Sequence, residues 1–346
     1  MTSQPAPSPS PVRQAWLDRQ HEEIIEPELP IVDPHHHLWD RPGWRYLLDE
    51  LLADLNSGHR IIATVFLQCR AMHRATGPEE LRPVGETEFV NGVAAMSASG
   101  GYGPTQVCAG IVGNADLLLG ARVDEVLEAH LRAGGGRFRG IRHSAARDAA
   151  IPAPANAPDL GLFGDADFRA GFARLAPLGL SFDAWLYHPQ IDGLTALARA
   201  FPDTSIVLNH VGGPLGLGAY AGRRAAEFAR WTTSIRDLAT CPNVFVKLGG
   251  LGMPFTNLSL HDQPEPPSSE RLAEVSRPYF TTCIEAFGPE RCMFESNFPV
   301  DKELFSYAVY WNACKRLTQG ASADERTALF SGSAARFYRL DLPENA

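Results

Sequence analysis

Ile31-Val32-Asp33-Pro34-His35-His36-His37-Leu38-Trp39-Asp40 is the stretch on which the reading of this chain turns. A short apolar run opens onto His-x-His, the pattern of a buried strand whose last inward positions are imidazoles. Alternate residues of a strand share a face, so His35 and His37 are expected to point the same way at its carboxyl end. Two converging imidazoles can share a metal ion, hold a water or bracket a substrate oxygen. An expression tag is the bland alternative, but three histidines inside an apolar frame do not read as one.

Downstream the chain alternates. Apolar runs at 61–67, 107–112, 138–142, 180–187, 205–209, 244–248 and 292–296 predict strands, and helical spacing fills 89–97, 121–133, 167–176, 190–201, 223–239 and 271–287. With the strand at 31–33 this makes eight strands in an α/β chain, which points to a single closed (β/α)8 TIM barrel with a helical C-terminal extension through Tyr338. An open doubly wound sheet is the structural competitor, because periodicity does not establish closure. Residues 1–29 carry Pro5, Pro7, Pro9 and Pro11 among Ser and Ala and read as a flexible arm, leaving 30–346 as the barrel. The Pro/Ser-rich tract 254–269 is long for a strand-to-helix loop and is expected over the barrel mouth.

A chain of 346 residues can bury a sizeable core. Its net charge of −9 and pI near 5.7 argue against a nucleic-acid or anionic-membrane partner. The six cysteines are far apart and read as reduced thiols of a cytoplasmic protein, not as a disulfide frame or zinc knuckle. No apolar run is long enough to span a bilayer, and the N-terminus lacks a secretion pattern. Composition leaves the oligomeric state open, a homodimer among the options.

In a barrel of this kind the active site forms at the carboxyl ends of the strands. Here those ends carry His35 and His37, Gln68 and Arg70, Asn114, Arg142 and His143, His188, Asn209 and His210, Lys247, then Glu295 and Asn297. His35, His37 and His210 supply nitrogen ligands enough for one Zn²⁺ with an open water position, although a histidine before Gly212-Gly213-Pro214 can equally be a satisfied core residue. His188, ahead of Pro189, is as readily a surface loop residue as a site residue. Arg142, Arg70 and Lys247 read as the anion side of the pocket, since a guanidinium grips a carboxylate through paired hydrogen bonds; salt bridges to Glu86, Glu88 or Glu295 are the alternative. Trp39, Trp44, Trp185 and Tyr187 wall a ring-shaped substrate or simply pack. Glu295 shares the parity of Asn297 and is expected one layer deeper, with a raised pKa or a cation such as Lys247 beside it. Asp301 reads first as a helix N-cap and second as a catalytic acid.

Five blocks, in this order and at strand ends, carry a family resemblance: Asp33-Pro34-His35-His36-His37-Leu38-Trp39-Asp40, Gly140-Ile141-Arg142-His143, Leu208-Asn209-His210-Val211-Gly212-Gly213-Pro214, Lys247-Leu248-Gly249-Gly250 and Met293-Phe294-Glu295-Ser296-Asn297-Phe298-Pro299. From about Ile31 to Leu340 the chain resembles the amidohydrolase superfamily, in the branch of TIM-barrel metal-dependent hydrolases related to lactonases of sugar acids and of dicarboxylates. The resemblance implies that His35 and His37 are the strand-one pair and His210 the strand-six histidine. Where the family holds an aspartate acting on the nucleophilic water, this chain has Asn297, which can orient a water but cannot take its proton. No residue matches the group that bridges two metals, so the resemblance implies at most one divalent ion. The combined expectation is a hydrolase that opens a lactone or similar ester of a small carboxylated molecule. A decarboxylase of the same superfamily and a non-catalytic acid-binding barrel are the alternatives.

Overall fold

The computed structural model describes residues 12–151, 157–261 and 263–342. The barrel strands are β1 (Ile31–His36), β2 (Ile61–Leu67), β3 (Gln106–Gly113), β4 (Phe138–Ile141), β5 (Ser181–Ala184), β6 (Ile206–Leu208), β7 (Val244–Leu248) and β8 (Cys292–Phe294). They pair in parallel and in sequence order from β1 to β8. An open doubly wound sheet would reverse direction at a switch point; here a parallel bridge between His36 and Phe298 joins the last strand's extension to the first, so the barrel is nearly closed. Helices α1 (Leu48–Leu55), α2 (Val84–Ala98), α3 (Val123–Ala133), α4 (Ala166–Phe172), α5 (Ile191–Ala200), α6 (Arg224–Ala239), α7 (Ser269–Phe287) and α8 (Tyr307–Leu317) follow the strands in turn.

Two strands end sooner than their apolar runs suggest, for one physical reason. Past Phe294 the backbone stops pairing regularly: Ser296 N–H donates to the Asp33 carboxylate (3.0 Å) instead of to a neighbouring strand. Past Ala184, Tyr187 N–H donates to the side chain of Gln190 (3.1 Å). Side chains take over backbone pairing at the mouth, which frees the following residues to turn inward.

The barrel interior is filled by Val32, Ala63, Val65, Leu67, Val112, Val207 and Met293, and the terminal helix Ser333–Tyr338 closes its floor with Phe337 and Tyr338. A larger apolar layer lies between strands and helices. Segment 12–29 lies along α7 and α8: Glu22 accepts from Ser269 N–H (2.7 Å) and Asn312 Nδ2 (3.1 Å), and Lys315 Nζ donates to the carbonyls of Ile25 and Glu26. The proline-rich stretch 1–11 is outside the described residues.

Asp33 holds the seam. Its carboxylate accepts from Ser296 Oγ (2.5 Å), Ser296 N (3.0 Å) and Tyr307 Oη (2.9 Å), tying β1 to the end of β8 and to α8. Burial pushes its pKa up to about 6, against those hydrogen bonds. Tyr307→Phe removes one donor and leaves a buried carboxylate oxygen short of a partner; we expect a loss of about 1–3 kcal/mol in urea unfolding with the fold retained.

Histidines buried for structural reasons set the acid limit. His36 bonds Thr64 Oγ1 (2.9 Å), His59 bonds Ala308 O (3.0 Å) and His130 bonds Asn114 O (2.9 Å). Burial lowers their pKa values to about 3, 4 and 4, and lowers those of His35, His37 and His210 as well. Below pH ~6.5 the unfolded chain binds protons on these six that the folded chain refuses. Asp33, Glu86 and Asp301, raised to about 6, 7 and 8, and Asp54, also raised, work the other way, but they are four against nine, because burial lowers His73, His143 and His188 as well. Stability is therefore expected to fall as pH drops from 6.5 toward 4, measured as urea midpoints across that window. A midpoint that stayed level or rose would show that these imidazoles are charged in the folded state.

Candidate active site

Strand ends converge on a cluster of imidazoles. His35 Nδ1 lies 2.6 Å from Glu295 Oε2, and its Nε2 lies 3.2 Å from Arg142 Nη1. A guanidinium and an ammonium only donate, so Arg142 at Nε2 and Lys247 at Nδ1 (3.3 Å) both turn donors to this ring, with the Glu295 carboxylate in close charge contact beside Nδ1. His210 donates to the other oxygen of Glu295 twice, from its backbone N–H (2.9 Å) and from Nδ1 (2.7 Å). His37 Nδ1 donates to Leu67 O (2.8 Å), which fixes its tautomer too. The His35 ring centroid is 4.5 Å from that of His210 and 5.0 Å from that of His37.

The backbone is shaped around these rings. His210 and Val211 have φ of +54° and +47°, a region that a β-branched residue avoids unless held there. Gly250, with φ +68°, passes so close that a Cβ on it would stand 2.4 Å from His210 Nδ1. Burial lowers the pKa of all three histidines; Lys247 adds to the effect at His35 and Arg142 at His37, whereas Glu295 opposes it at His210. The imidazoles are neutral acceptors or bases, not standing cations.

The three cations part company. Lys247 Nζ is fully buried beneath His35, 2.8 Å from Asp183 Oδ1 and 2.8 Å from Pro34 O, with His35 Nδ1 at 3.3 Å. Its charge is matched by Asp183, not by Glu295. Arg142 is also buried, donates to Gln68 O, and forms no salt bridge among the described residues; its Nε has no partner. Of the acids expected to pair with it, Glu88 pairs with Arg74 and Glu86 accepts from the backbone N–H of Cys69 and Ala71 (2.8 and 2.9 Å). Arg70, at φ +64°, is exposed on a cleft of about 960 Å³ that also touches Gln68, Asn114, His143, Trp185 and Tyr187.

Trp185 leads from this cleft to the histidines, its ring 4.9 Å from His210. Phe255, from the long loop after β7, covers Trp185 and Tyr187 at 5.7 and 5.3 Å, so that loop does reach over the mouth. Trp39 stacks behind His37 at 5.8 Å and is only 2% exposed. His188 is buried elsewhere, with Glu227 at 3.4 Å and Leu215 N–H on its Nδ1 (3.1 Å), and it lines a separate cleft with Tyr220 and Arg224. Asn297, at φ +56°, donates its backbone N–H to His35 O (3.0 Å) and its Nδ2 to Asp301 Oδ1 (3.0 Å).

Sequence reasoning missed Asp183, Asp33 and Phe255. Asp183 and Asp33 had a usable signal, an acid inside an otherwise apolar strand, which is tolerated only when several donors meet it. Phe255 had none, because nothing local marks which loop aromatic folds inward.

The donor set was tested for a metal. One nitrogen each from His35 and His210 and an oxygen of Glu295 lie within 4.8 Å of one another, and His37 is not part of that group. Two imidazoles and a carboxylate suit one Zn²⁺, which His35, His210 and Glu295 would hold. Arg142 and Lys247, each within 3.3 Å of His35, weigh against a second positive ion.

The chain is 35% identical over 340 residues to the uncharacterized protein y4mH of Sinorhizobium fredii, covering 90% of this chain and 99% of the relative. It is 27% identical to an L-fucono-1,5-lactonase of Burkholderia multivorans, covering 91% and 98%. Among solved structures, an amidohydrolase of Burkholderia multivorans with bound HEPES superposes with a TM-score of 0.68 at 25% identity, over 90% of this chain and 99% of that one. The family model for amidohydrolases matches residues 32–340. From its first barrel strand to its terminal helix, this chain is a member of the amidohydrolase family.

Proposed function

We propose that this chain hydrolyses the lactone of a small sugar acid or carboxylated molecule. The observation that carries the reading is Arg142: a buried guanidinium with no carboxylate partner among the described residues, beside a neutral histidine cluster. A buried charge is costly unless something anionic meets it, and substrate or its transition state can be that partner. The relative named as an L-fucono-1,5-lactonase supports lactones as the substrate class. The six free cysteines support a reducing, cytoplasmic compartment.

In this reading His210 is the base. Glu295 accepts from Nδ1 and so leaves the Nε2 lone pair available to take a proton from water. The oxygen of that water bonds to the lactone carbonyl carbon, and negative charge moves to the carbonyl oxygen, where Arg142 stabilises it. Collapse breaks the ring C–O bond, and His210 returns the proton to the departing alkoxide. His37, fixed by Leu67 O, orients the water; Lys247, held by Asp183, and His35 keep Glu295 in register. Arg70, exposed in the cleft, takes a substrate carboxylate, with Trp185, Tyr187 and Phe255 against the ring. A divalent ion held by His35, His210 and Glu295 would supply carbonyl polarisation and a bound water of lowered pKa.

Opening a lactone releases an acid, so indicator-coupled assays over sugar-acid 1,5-lactones and carboxylated lactones test the proposal. Arg142→Lys is expected to lower kcat/KM about a hundredfold, on the order of 3 kcal/mol, because an ammonium cannot reproduce the guanidinium geometry. Arg70→Ala should raise KM for carboxylated lactones and leave neutral ones unchanged. Wild-type rates in Arg142→Lys would remove the guanidinium from the reaction, and CO₂ release from aromatic acids without any lactone opening would make the chain a decarboxylase instead.

A further inference from the structure

After β7 the chain reads Gly249-Gly250-Leu251-Gly252, and each glycine lies against one side chain. A Cβ on Gly249 would stand 2.4 Å from Glu295 Cγ, one on Gly250 2.4 Å from His210 Nδ1, and one on Gly252 2.9 Å from Asp301 Cγ. Two of those three partners belong to the histidine cluster. The third, Asp301, was read from sequence as a helix cap, yet the short helix Asp301–Glu303 has Val300 as its N-cap and no side-chain capping bond. Its carboxyl is buried, facing an enclosed and mostly apolar cavity with Leu251, Phe280 and Tyr310. Oδ1 accepts from Asn297 Nδ2 (3.0 Å), and Oδ2 lies 3.4 Å from Gly252 N. An acid in such surroundings weakens the fold, so its one strong contact, Asn297, is where its use lies.

We propose that Asp301 is a positioning residue that fixes which way the Asn297 carboxamide faces. Asp301 Oδ1 accepts from Nδ2, which turns the amide's sole acceptor, its own Oδ1, away from Asp301. Asn297 is joined to the cluster through its backbone N–H on His35 O, and in this arrangement the freed Oδ1 serves as the acceptor for the attacking water. Asn297 thereby orients water without itself placing a negative charge against Glu295. This inference rests on the hydrolytic reading only for the identity of the water.

The test uses full-length protein and two readouts. Without substrate, the Asn297 side-chain amide is followed by NMR in ¹⁵N-Asn-labelled protein, assigned by its disappearance in Asn297→Asp. One Nδ2 proton should be shielded from solvent exchange in the wild type and lose at least tenfold of that protection in Asp301→Leu. With a hydrolysed lactone, Asp301→Asn should lower kcat at least tenfold with KM unchanged, because two carboxamides can pair either way round. The exchange variant Asn297→Asp/Asp301→Asn restores a carboxylate–amide pair and should recover most of that kcat. An unshielded Asn297 amide in the wild type, unchanged kcat in Asp301→Asn, or a double variant no better than Asp301→Asn would each overturn the proposal. If the wild type opens no lactone, the hydrolytic reading fails while the amide measurement still decides whether Asp301 pins Asn297.

Discussion

Glu295 is the group on which the rest of the site depends. One oxygen meets His35 from β1 and the other meets the ring and backbone N–H of His210 beyond β6, so a single carboxylate spans the barrel mouth. Both rings are buried and neutral, and each needs its Nδ1 proton directed somewhere if Nε2 is to serve as a base or ligand. Glu295 provides that direction to His210 and stands 2.6 Å from Nδ1 of His35. A glutamine in its place would turn an NH₂ toward one of the two rings and remove the negative charge beside both.

Beneath this carboxylate runs a column of buried polar groups that reaches the barrel floor. Tyr338 Oη donates to Asp183 (2.8 Å), which also accepts from Asn209 Nδ2 (3.0 Å) and pairs with Lys247, and Lys247 Nζ lies against His35. Tyr338, Asp183 and Lys247 satisfy one another in turn, which is the condition under which polar groups survive inside a core. The consequence is that the terminal helix, whose Phe337 and Tyr338 fill the floor, also supports the site from below. Fold closure and site geometry are thus one network, with Asp33 tying the seam beside it.

How much of this was legible in the sequence follows from the range of each interaction. Alternation of apolar runs with helical spacing is local, and β2 and β7 begin and end where their runs do. Parity along a strand anticipated that His35 and His37 come together, their rings 5.0 Å apart, because a two-residue period needs no tertiary information. Partners are another matter. Lys247 pairs with Asp183, 64 residues away, and Asn297 turns to Asp301 because a loop from β7 lacks a Cβ at Gly252. Neither choice leaves a mark in local composition. His188 shows the same limit: its place at a strand end suggested the site, yet Glu227 and Leu215 hold it in a neighbouring cleft.

The unpaired state of Arg142 distinguishes a binding group from a structural one. Lys247 and Lys302 are buried cations too, but each meets an aspartate at 2.7–2.8 Å, so their charge is settled within the fold. Arg142 instead leans on a carbonyl and a neutral imidazole, both weaker partners than a carboxylate. Lys315, also buried without a carboxylate among the described residues, is used up holding the carbonyls of Ile25 and Glu26, whereas Arg142 stands beside the histidines, where incoming negative charge can meet it. Placing such a cation beside neutral histidines also keeps them neutral, since a second positive charge would be repelled. The same residue therefore protects the basicity it needs nearby: a pocket with Arg142 capped by an internal acid would lose both its pull on an incoming oxyanion and the charge that holds its imidazoles deprotonated.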